Sequence, residues 1–203
     1  MSDGLQIIVG VLIGYVIGMF PSADLVAWVA SRGSVDLRSS GSGNPGGLNA
    51  ARVLGKKWGV VVIVLDAAKG ALAGFLGLAI GDAAAYAAGT AVIAGHCWPV
   101  WNGFRGGKGV AAAGGSFFAV FPPMVAVDGL TTLAVVAVSR SSRLAIKVAL
   151  VVWVVSAAVW WAADLSTGWG PDAGPGLLLY AVLGAGMIQA RFVMTARAGG
   201  PSL

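Results

Sequence analysis

The sequence predicts an all-α polytopic membrane protein with seven transmembrane helices, the amino terminus outside and the carboxyl terminus cytoplasmic. Three observations carry this. Of 203 residues, 58% are apolar and only 10% charged, with a mean hydropathy of +0.86; a soluble domain carries about 25% charged residues to cover its core. All thirteen Lys/Arg except Lys69 fall in four short segments, the asymmetry that marks cytoplasmic loops. Pro122-Pro123 interrupts the apolar stretch 110–138, which no single straight helix can contain. A soluble globular domain, a coiled coil and a disordered chain are excluded. The 32 glycines follow no three-residue period, so collagen is excluded too, and in a membrane protein they point to close helix contacts.

A span needs about 20 apolar residues. Leu5 to Ala30 is the first, with Pro21 expected to kink it. Met1 to Gly4 has no basic region, and the apolar segment is long enough to span, which predicts a retained helix rather than a cleaved signal. Gly10, Gly14 and Gly18 form a small-xxx-small ladder for a neighbouring helix. Trp58–Ile80, Ala83–Val100, Leu144–Ala163 and Gly176 to Ile188 or slightly beyond are further spans. Arg105 and Lys108 before the 110–138 stretch, and Arg140, Arg143 and Lys147 after it, belong on one face. The chain between them therefore crosses twice, as two short spans meeting at the prolines. Trp28, Trp58, Trp98 and Trp101 at inner ends, and Trp160, Trp161 and Trp169 near an outer one, fit an interfacial belt; Trp153 falls inside a span and reads as helix packing. The whole chain, 1–203, forms one integral-membrane domain, and its chemistry is expected at the cytoplasmic face.

The net charge of +5 sits in those loops, so it reports topology and not nucleic-acid binding. Cys97 and His96 are the only cysteine and histidine, which excludes an intrachain disulfide and Cys- or His-cluster metal sites. No metal and no cofactor are expected. All eight acids are Asp.

Two glycine-rich segments are candidate phosphate cradles. The first is Gly41-Ser42-Gly43-Asn44-Pro45-Gly46-Gly47, followed by Asn49 and Arg52. Glycines let the backbone turn its N–H groups toward an anion, Ser42 and Asn44 add short donors, and Arg38 and Arg52 supply guanidinium groups. The same segment also reads as a flexible linker whose bases only set topology. The second is Arg105-Gly106-Gly107-Lys108-Gly109. It is not a nucleotide-binding P-loop, because Gly109 follows Lys108 where Ser or Thr is required and Asn102 stands five before Gly107. A lysine among glycines at a helix start still suits a phosphate. His96 has the side chain suited to proton transfer near neutrality, although no carboxylate lies near it in sequence; fastening a loop is the alternative. Asp66 and Lys69 share one helix face within a span and read as a structural pair.

Gly14-Tyr15 through Pro21, Asp36-Leu37-Arg38, Gly41-Ser42-Gly43-Asn44, Arg52 through Gly59, Leu65-Asp66, Lys69-Gly70, Gly95-His96, Pro99 and Gly106 through Val110 resemble, in order and spacing, the PlsY-type acyl-phosphate:glycerol-3-phosphate acyltransferases. The resemblance runs from about residue 10 to 147. It implies a small seven-helix inner-membrane enzyme that moves a fatty acyl group from acyl phosphate to the 1-hydroxyl of glycerol 3-phosphate, giving lysophosphatidic acid and phosphate. It implies phosphate-binding or transition-state-stabilising roles for Ser42, Arg52 and Lys108, with Gly41, Gly43, Asn44, Gly106 and Gly107 shaping the cradles; His96 matches a family position, as the base or with a substrate phosphate oxygen taking the proton instead, and Arg38, Asn49 and Arg105 complete the phosphate-binding candidates. The implied partners are acyl phosphate, glycerol 3-phosphate and membrane lipids, with no nucleic acid, in a monomer of the plasma membrane. Two departures stand out. The family usually reads Ala-Thr-Asn where this chain has Gly47-Leu48-Asn49. The family also ends in a polar His, Glu and Asn motif after the last helix, where this chain runs Gln189 to Arg197; Gln189, Arg191 or Thr195 is a possible substitute. A non-catalytic or altered-substrate lipid-phosphate binder or transporter is the alternative.

Overall fold

The structure, a computed structural model, describes residues 1–197. The predicted tail 198–203, and with it the end of the 1–203 domain, lies outside the described residues. Among those described there are nine α-helices and no strand. The expected first span is two helices, α1 (Asp3–Gly18) and α2 (Ser22–Ser31). Pro21 lacks an N–H and disfavours helix in the residue before it, so the chain breaks where a kink was expected. A short helix, α3 (Gly47–Val53), forms in a segment read as loop; at seven residues it is too short for hydrophobic periodicity to reveal. α4 (Lys56–Leu78) and α5 (Asp82–Cys97) follow, then a 3-10 turn, Val100–Asn102.

The proline-interrupted stretch divides as expected, into α6 (Val110–Val120) and α7 (Pro122–Ser139), with both prolines in the first turn of α7, where a missing N–H is harmless. α8 spans Ser142–Ala162. α9 spans Pro175–Arg197, so the residues expected beyond the last helix form its final turns; no Gly or Pro interrupts 189–197. Five segments are long and apolar enough to cross a membrane: Asp3–Ser31, Lys56–Leu78, Pro122–Ser139, Ser142–Ala162 and Pro175–Thr195. α5 and α6, with 16 and 11 residues, are shorter.

α5 is the axis of the bundle, with α1, α4, α6 and α9 packed on it. The glycine ladder works as its spacing predicts: Gly10 faces Ala84, Gly14 faces Ala88 and Gly18 faces Val92, and a Cβ on any of the three would strike a backbone carbonyl of α5. Both sides advance by four residues together, so α1 and α5 run parallel. Where helices cannot gain from expelling water, such close backbone approach is the main attraction. Larger groups fill the other side of α5. Trp153, only 1% exposed, lies edge-on to Phe117 at 4.9 Å and to Tyr180 at 5.0 Å, and the Ser116 and Tyr180 hydroxyls share a 2.5 Å hydrogen bond. Of the tryptophans expected in a belt, Trp28, Trp101, Trp161 and Trp169 are exposed and Trp58, Trp98 and Trp160 are half-buried.

Candidate functional site

The break after α1 leaves carbonyls without helical partners. Lys69 Nζ of α4 donates to Phe20 O at 3.0 Å, and Trp101 Nε1 donates to Met19 O at 3.1 Å. Lys69 also pairs with Asp66 at 3.0 Å, one turn earlier on α4. The expected intramembrane pair is therefore real, and Asp66, Lys69 and His96 are all buried. Asp66 has a second neighbour that sequence distance hid: His96 Nδ1 of α5 lies 3.4 Å from Asp66 Oδ1. That separation is long for a hydrogen bond but fixes which ring nitrogen faces the acid. The other nitrogen, Nε2, lies against Gly107, where a side chain would collide with it.

The first glycine-rich segment is organised by Asn49, in the first turn of α3. Its Oδ1 accepts from the Ser42 N–H at 2.8 Å, and its Nδ2 donates to Leu37 O and Ser40 O at 3.0 Å each. Gly41 takes the left-handed conformation at φ 60°, and a Cβ there would meet Asn49 Oδ1. Asn49 is thus a loop fastener, with its amide fully engaged. Ser42 Oγ and Asn44 Oδ1 remain buried without a hydrogen-bond partner, as does His96 Nδ1. Buried polar atoms in this state are uncommon and call for a ligand or a role.

The second segment departs from the expected cradle. Gly106 N–H donates to Cys97 O and Gly107 N–H to His96 O, both at 3.1 Å, closing the end of α5. Their carbonyls accept from Arg191 of α9, Gly107 from Nε at 3.2 Å and Gly106 from an Nη at 2.5 Å. The Gly106 and Gly107 peptide groups are therefore engaged internally, and Lys108 is the charged side chain this loop presents to the cavity. Its Nζ lies 4.3 Å over the Phe192 ring. Burial, then the charges of Arg143 and Arg191, push the Lys108 ammonium below the ordinary lysine range. The two loops are joined to each other at Arg38, which forms a bidentate pair with Asp24 and donates from Nε to Arg105 O at 3.1 Å. Asn102 Nδ2 also donates to Asp24 Oδ2 at 3.1 Å.

These pieces enclose a cavity of about 230 Å³ lined by Ser42, Asn44, Asn49, Asp66, His96 and Lys108, with Ile63, Val110, Ile146 and Phe192 as apolar walls. A smaller recess beside it is lined by Asp24, Arg38, Asp66, Lys69, His96, Gly106 and Gly107. The fold thus brings most of the anticipated residues to two adjoining spaces. Gly41 and Gly43 shape the loop from outside. Arg52 and Arg105 are exposed and line neither space, although the first turn of Arg52's helix lines the cavity. Sequence reasoning missed the contact of Asp66 with His96 and the role of Phe192. Arg191, one of three candidates for the altered terminal motif, is the one that reaches the loop.

The sequence profile of the family described as glycerol-3-phosphate acyltransferase matches residues 8–196. The chain is 44% identical over 138 residues to a glycerol-3-phosphate acyltransferase of Myxococcus xanthus, covering 66% of this chain and 70% of that one. It is 44% identical over 126 residues to "Glycerol-3-phosphate acyltransferase 4" of Dehalococcoides mccartyi, covering 61% and 67%. Its fold is similar to the crystal structure of PlsY (YgiH), an integral membrane glycerol 3-phosphate acyltransferase, in its glycerol 3-phosphate form. That match has a TM-score of 0.74 at 29% identity and covers 97% of this chain and 91% of the other. The lysophosphatidic acid form of the same protein matches with a TM-score of 0.76. The chain belongs to the glycerol-3-phosphate acyltransferase family.

Proposed function

We infer that this chain is a membrane acyltransferase that moves a fatty acyl group from acyl phosphate to the 1-hydroxyl of glycerol 3-phosphate, releasing lysophosphatidic acid and phosphate. One observation carries the reading beyond family membership. Two buried, unpartnered polar atoms, Ser42 Oγ and Asn44 Oδ1, belong to residues that line one cavity with His96 and a lysine. That cavity shares Val110 and Ile146 with an apolar groove of about 390 Å³. A polar head and an apolar chain on one molecule match such a pair of spaces.

The chemistry asks little of the protein except position and charge. Acyl phosphate is already activated, so binding both substrates in line supplies much of the rate. Lys108 and the Ser42 hydroxyl hold the donor phosphate, and their donors stabilise the charge that grows on it as the acyl–oxygen bond breaks. Asn44 Oδ1 accepts from the glycerol moiety. Arg52, at the end of α3, closes over the acceptor phosphate from the rim. His96, held by Asp66 through Nδ1, takes the proton of the attacking hydroxyl at Nε2 and returns it to the departing phosphate. The hydroxyl oxygen forms the ester bond as the C–O bond to phosphate breaks, leaving no net proton on the protein.

The same reading places the basic loops, and the cavity among them, on the cytoplasmic face of the plasma membrane. Seven helices cross, namely α1, α4, α5, α6, α7, α8 and α9, with the amino terminus outside, and the protein acts as a monomer. The parallel packing of α1 and α5 supports this, because first and third crossings must run the same way. The test is phosphate release by the purified protein in lipid nanodiscs supplied with acyl phosphate and glycerol 3-phosphate. Release that depends on both substrates, with lysophosphatidic acid formed in equal amount, is the expected result; binding of either substrate without turnover overturns it.

A further inference from the structure

Lys108 follows two glycines, Gly106 and Gly107, and glycine leaves the backbone before the lysine freer than any other residue would. Neither position has room for a side chain: a Cβ on Gly106 would strike His96 O, and one on Gly107 would strike His96 Nε2. The loop therefore has to be fixed from outside. A peptide unit is planar, so holding both of its ends sets its orientation. The unit joining Gly106 to Gly107 is held in this way, its N–H by His96 O at 3.1 Å and its oxygen by an Arg191 Nη at 2.5 Å. The next unit, which carries the Lys108 nitrogen, is held at its oxygen by Arg191 Nε at 3.2 Å. Phe192, the neighbouring residue on α9, lies under the other end of the same lysine, with Nζ 4.3 Å from its ring centroid. Consecutive residues of α9 thus hold the root and the tip of Lys108.

Arg191 is buried, has no ion-pair partner among the described residues and lies in a helix of membrane-spanning length. A cation so placed is costly, pairs with backbone carbonyls and marks function. It lines neither the head cavity, the recess nor the apolar groove, so it acts through the loop it holds. The other polar groups of the altered terminal stretch are spent elsewhere: Gln189 is exposed, and the Thr195 hydroxyl donates to Arg191 O at 2.8 Å within its own helix. Two carbonyls at a fixed spacing suit the planar fork of a guanidinium, which an ammonium does not match. We propose that Arg191 is a positioning residue for acyl transfer, clamping the Gly106 and Gly107 carbonyls so that Lys108, steadied by Phe192, meets the donor phosphate. This rests on the acyltransferase reading above.

The test is a double-mutant cycle on the protein in nanodiscs, pairing Arg191→Lys with Lys108→Ala. It is read in kcat/KM for acyl phosphate and, separately, in binding of an acyl phosphonate that cannot transfer its chain. Arg191→Lys keeps the charge and loses the fork. It is expected to lower kcat/KM for acyl phosphate about 10–10²-fold, the scale of a small misplacement, while KM for glycerol 3-phosphate changes less than about twofold. On top of Lys108→Ala it should cost almost nothing, because the group it positions is already gone. Losses that multiply, or an Arg191→Lys protein that keeps near-normal rates, overturn the proposal. If a thermal melt shows that Arg191→Lys does not fold, Phe192→Leu takes its place in the cycle. Alone it should cost about two- to fivefold, and beyond Lys108→Ala nothing; multiplied losses there overturn the proposal equally. A wild-type protein that binds the phosphonate but turns over no donor sinks the acyltransferase reading instead, and the cycle in phosphonate binding still decides whether Arg191 acts through Lys108. Absence of both turnover and binding overturns the two together.

Discussion

In the first glycine-rich loop a side chain holds the backbone, and other side chains are left free. Asn49 binds the peptide groups of Leu37, Ser40 and Ser42, while Ser42 Oγ and Asn44 Oδ1 remain unpartnered. In the second loop the arrangement is reversed: the Gly106 and Gly107 peptide groups are consumed between the end of α5 and Arg191, and Lys108 is the side chain that reaches the cavity. Equal glycine content therefore serves different ends. In the first loop glycine permits a turn around Asn49. In the second it permits close contact with His96, whose Nε2 leaves no room for a side chain on Gly107.

The largest effect should come from the charged side chain that lines the cavity. Lys108→Ala is expected to lower kcat/KM about 10²–10³-fold, the scale for removing one donor to a developing charge. The thermal midpoint should hardly move, since Lys108 makes no hydrogen bond to the protein among the described residues. Steady-state kinetics and a thermal melt on the same preparation check both. A large fall in the midpoint would instead make the lysine a structural member of its loop.

Next in size, the two asparagines of the first loop should part company. Asn49→Ala strands an N–H and two carbonyls, each costing about 1–3 kcal/mol when buried and unpaired. A marked drop in midpoint should accompany the loss of activity. Asn44→Ala removes an acceptor that has no partner, so activity should fall about tenfold with the midpoint unchanged or raised. Equal effects of the two on stability would erase the distinction between fastener and ligand.

The same contrast explains what could be read ahead of the structure. The helices were legible because apolar length, glycine spacing and charge asymmetry are local properties, and Gly10, Gly14 and Gly18 even named the contact face. The first loop's unpartnered side chains, Ser42 and Asn44, stood out because short polar side chains among glycines are unusual in so apolar a chain. The engagement of Gly106 and Gly107 was not, because the partner that takes their carbonyls is Arg191, far along the chain on α9. Nor was the orientation of His96 by Asp66, which needs α4 and α5 side by side. α3 escaped notice because seven residues carry too little periodicity. Donors and residue types can be read from a sequence, but whether a donor is already engaged is a tertiary fact.

A smaller, pH-dependent effect follows from the surroundings of Lys108. Burial, Arg143 and Arg191 hold its ammonium below the ordinary lysine range, about 10.4. The charged form is the one that holds phosphate, so activity is present at low pH and lost as pH rises through this depressed value. The alkaline limb of kcat/KM, which reports the free enzyme, should therefore lie below that of an ordinary lysine. With phosphate bound the ammonium is stabilised, and the limb of kcat should lie higher. Arg143→Ala removes one repelling charge and should shift the kcat/KM limb upward. Coincident limbs for the two parameters would mean that Lys108 does not meet the phosphate.

The smallest effect is expected at Arg105, which stands in the second loop and was among the anticipated phosphate ligands. Its side chain is exposed and lines neither the cavity nor the recess, and the atom it contributes is its carbonyl oxygen, held by Arg38 Nε. A carbonyl survives any side-chain substitution, so Arg105→Ala should change kcat/KM less than about twofold, within the few tenths of a kcal/mol typical of surface positions. Arg38→Ala, by contrast, releases that carbonyl and leaves Asp24 without its guanidinium, so it should loosen both loops at once. Hydrogen exchange over 36–47 and 102–109 in the two variants separates these outcomes. If Arg105→Ala instead weakens glycerol 3-phosphate binding while exchange stays unchanged, its guanidinium reaches the acceptor, and the second loop offers two cations beside glycines whose N–H groups are already engaged.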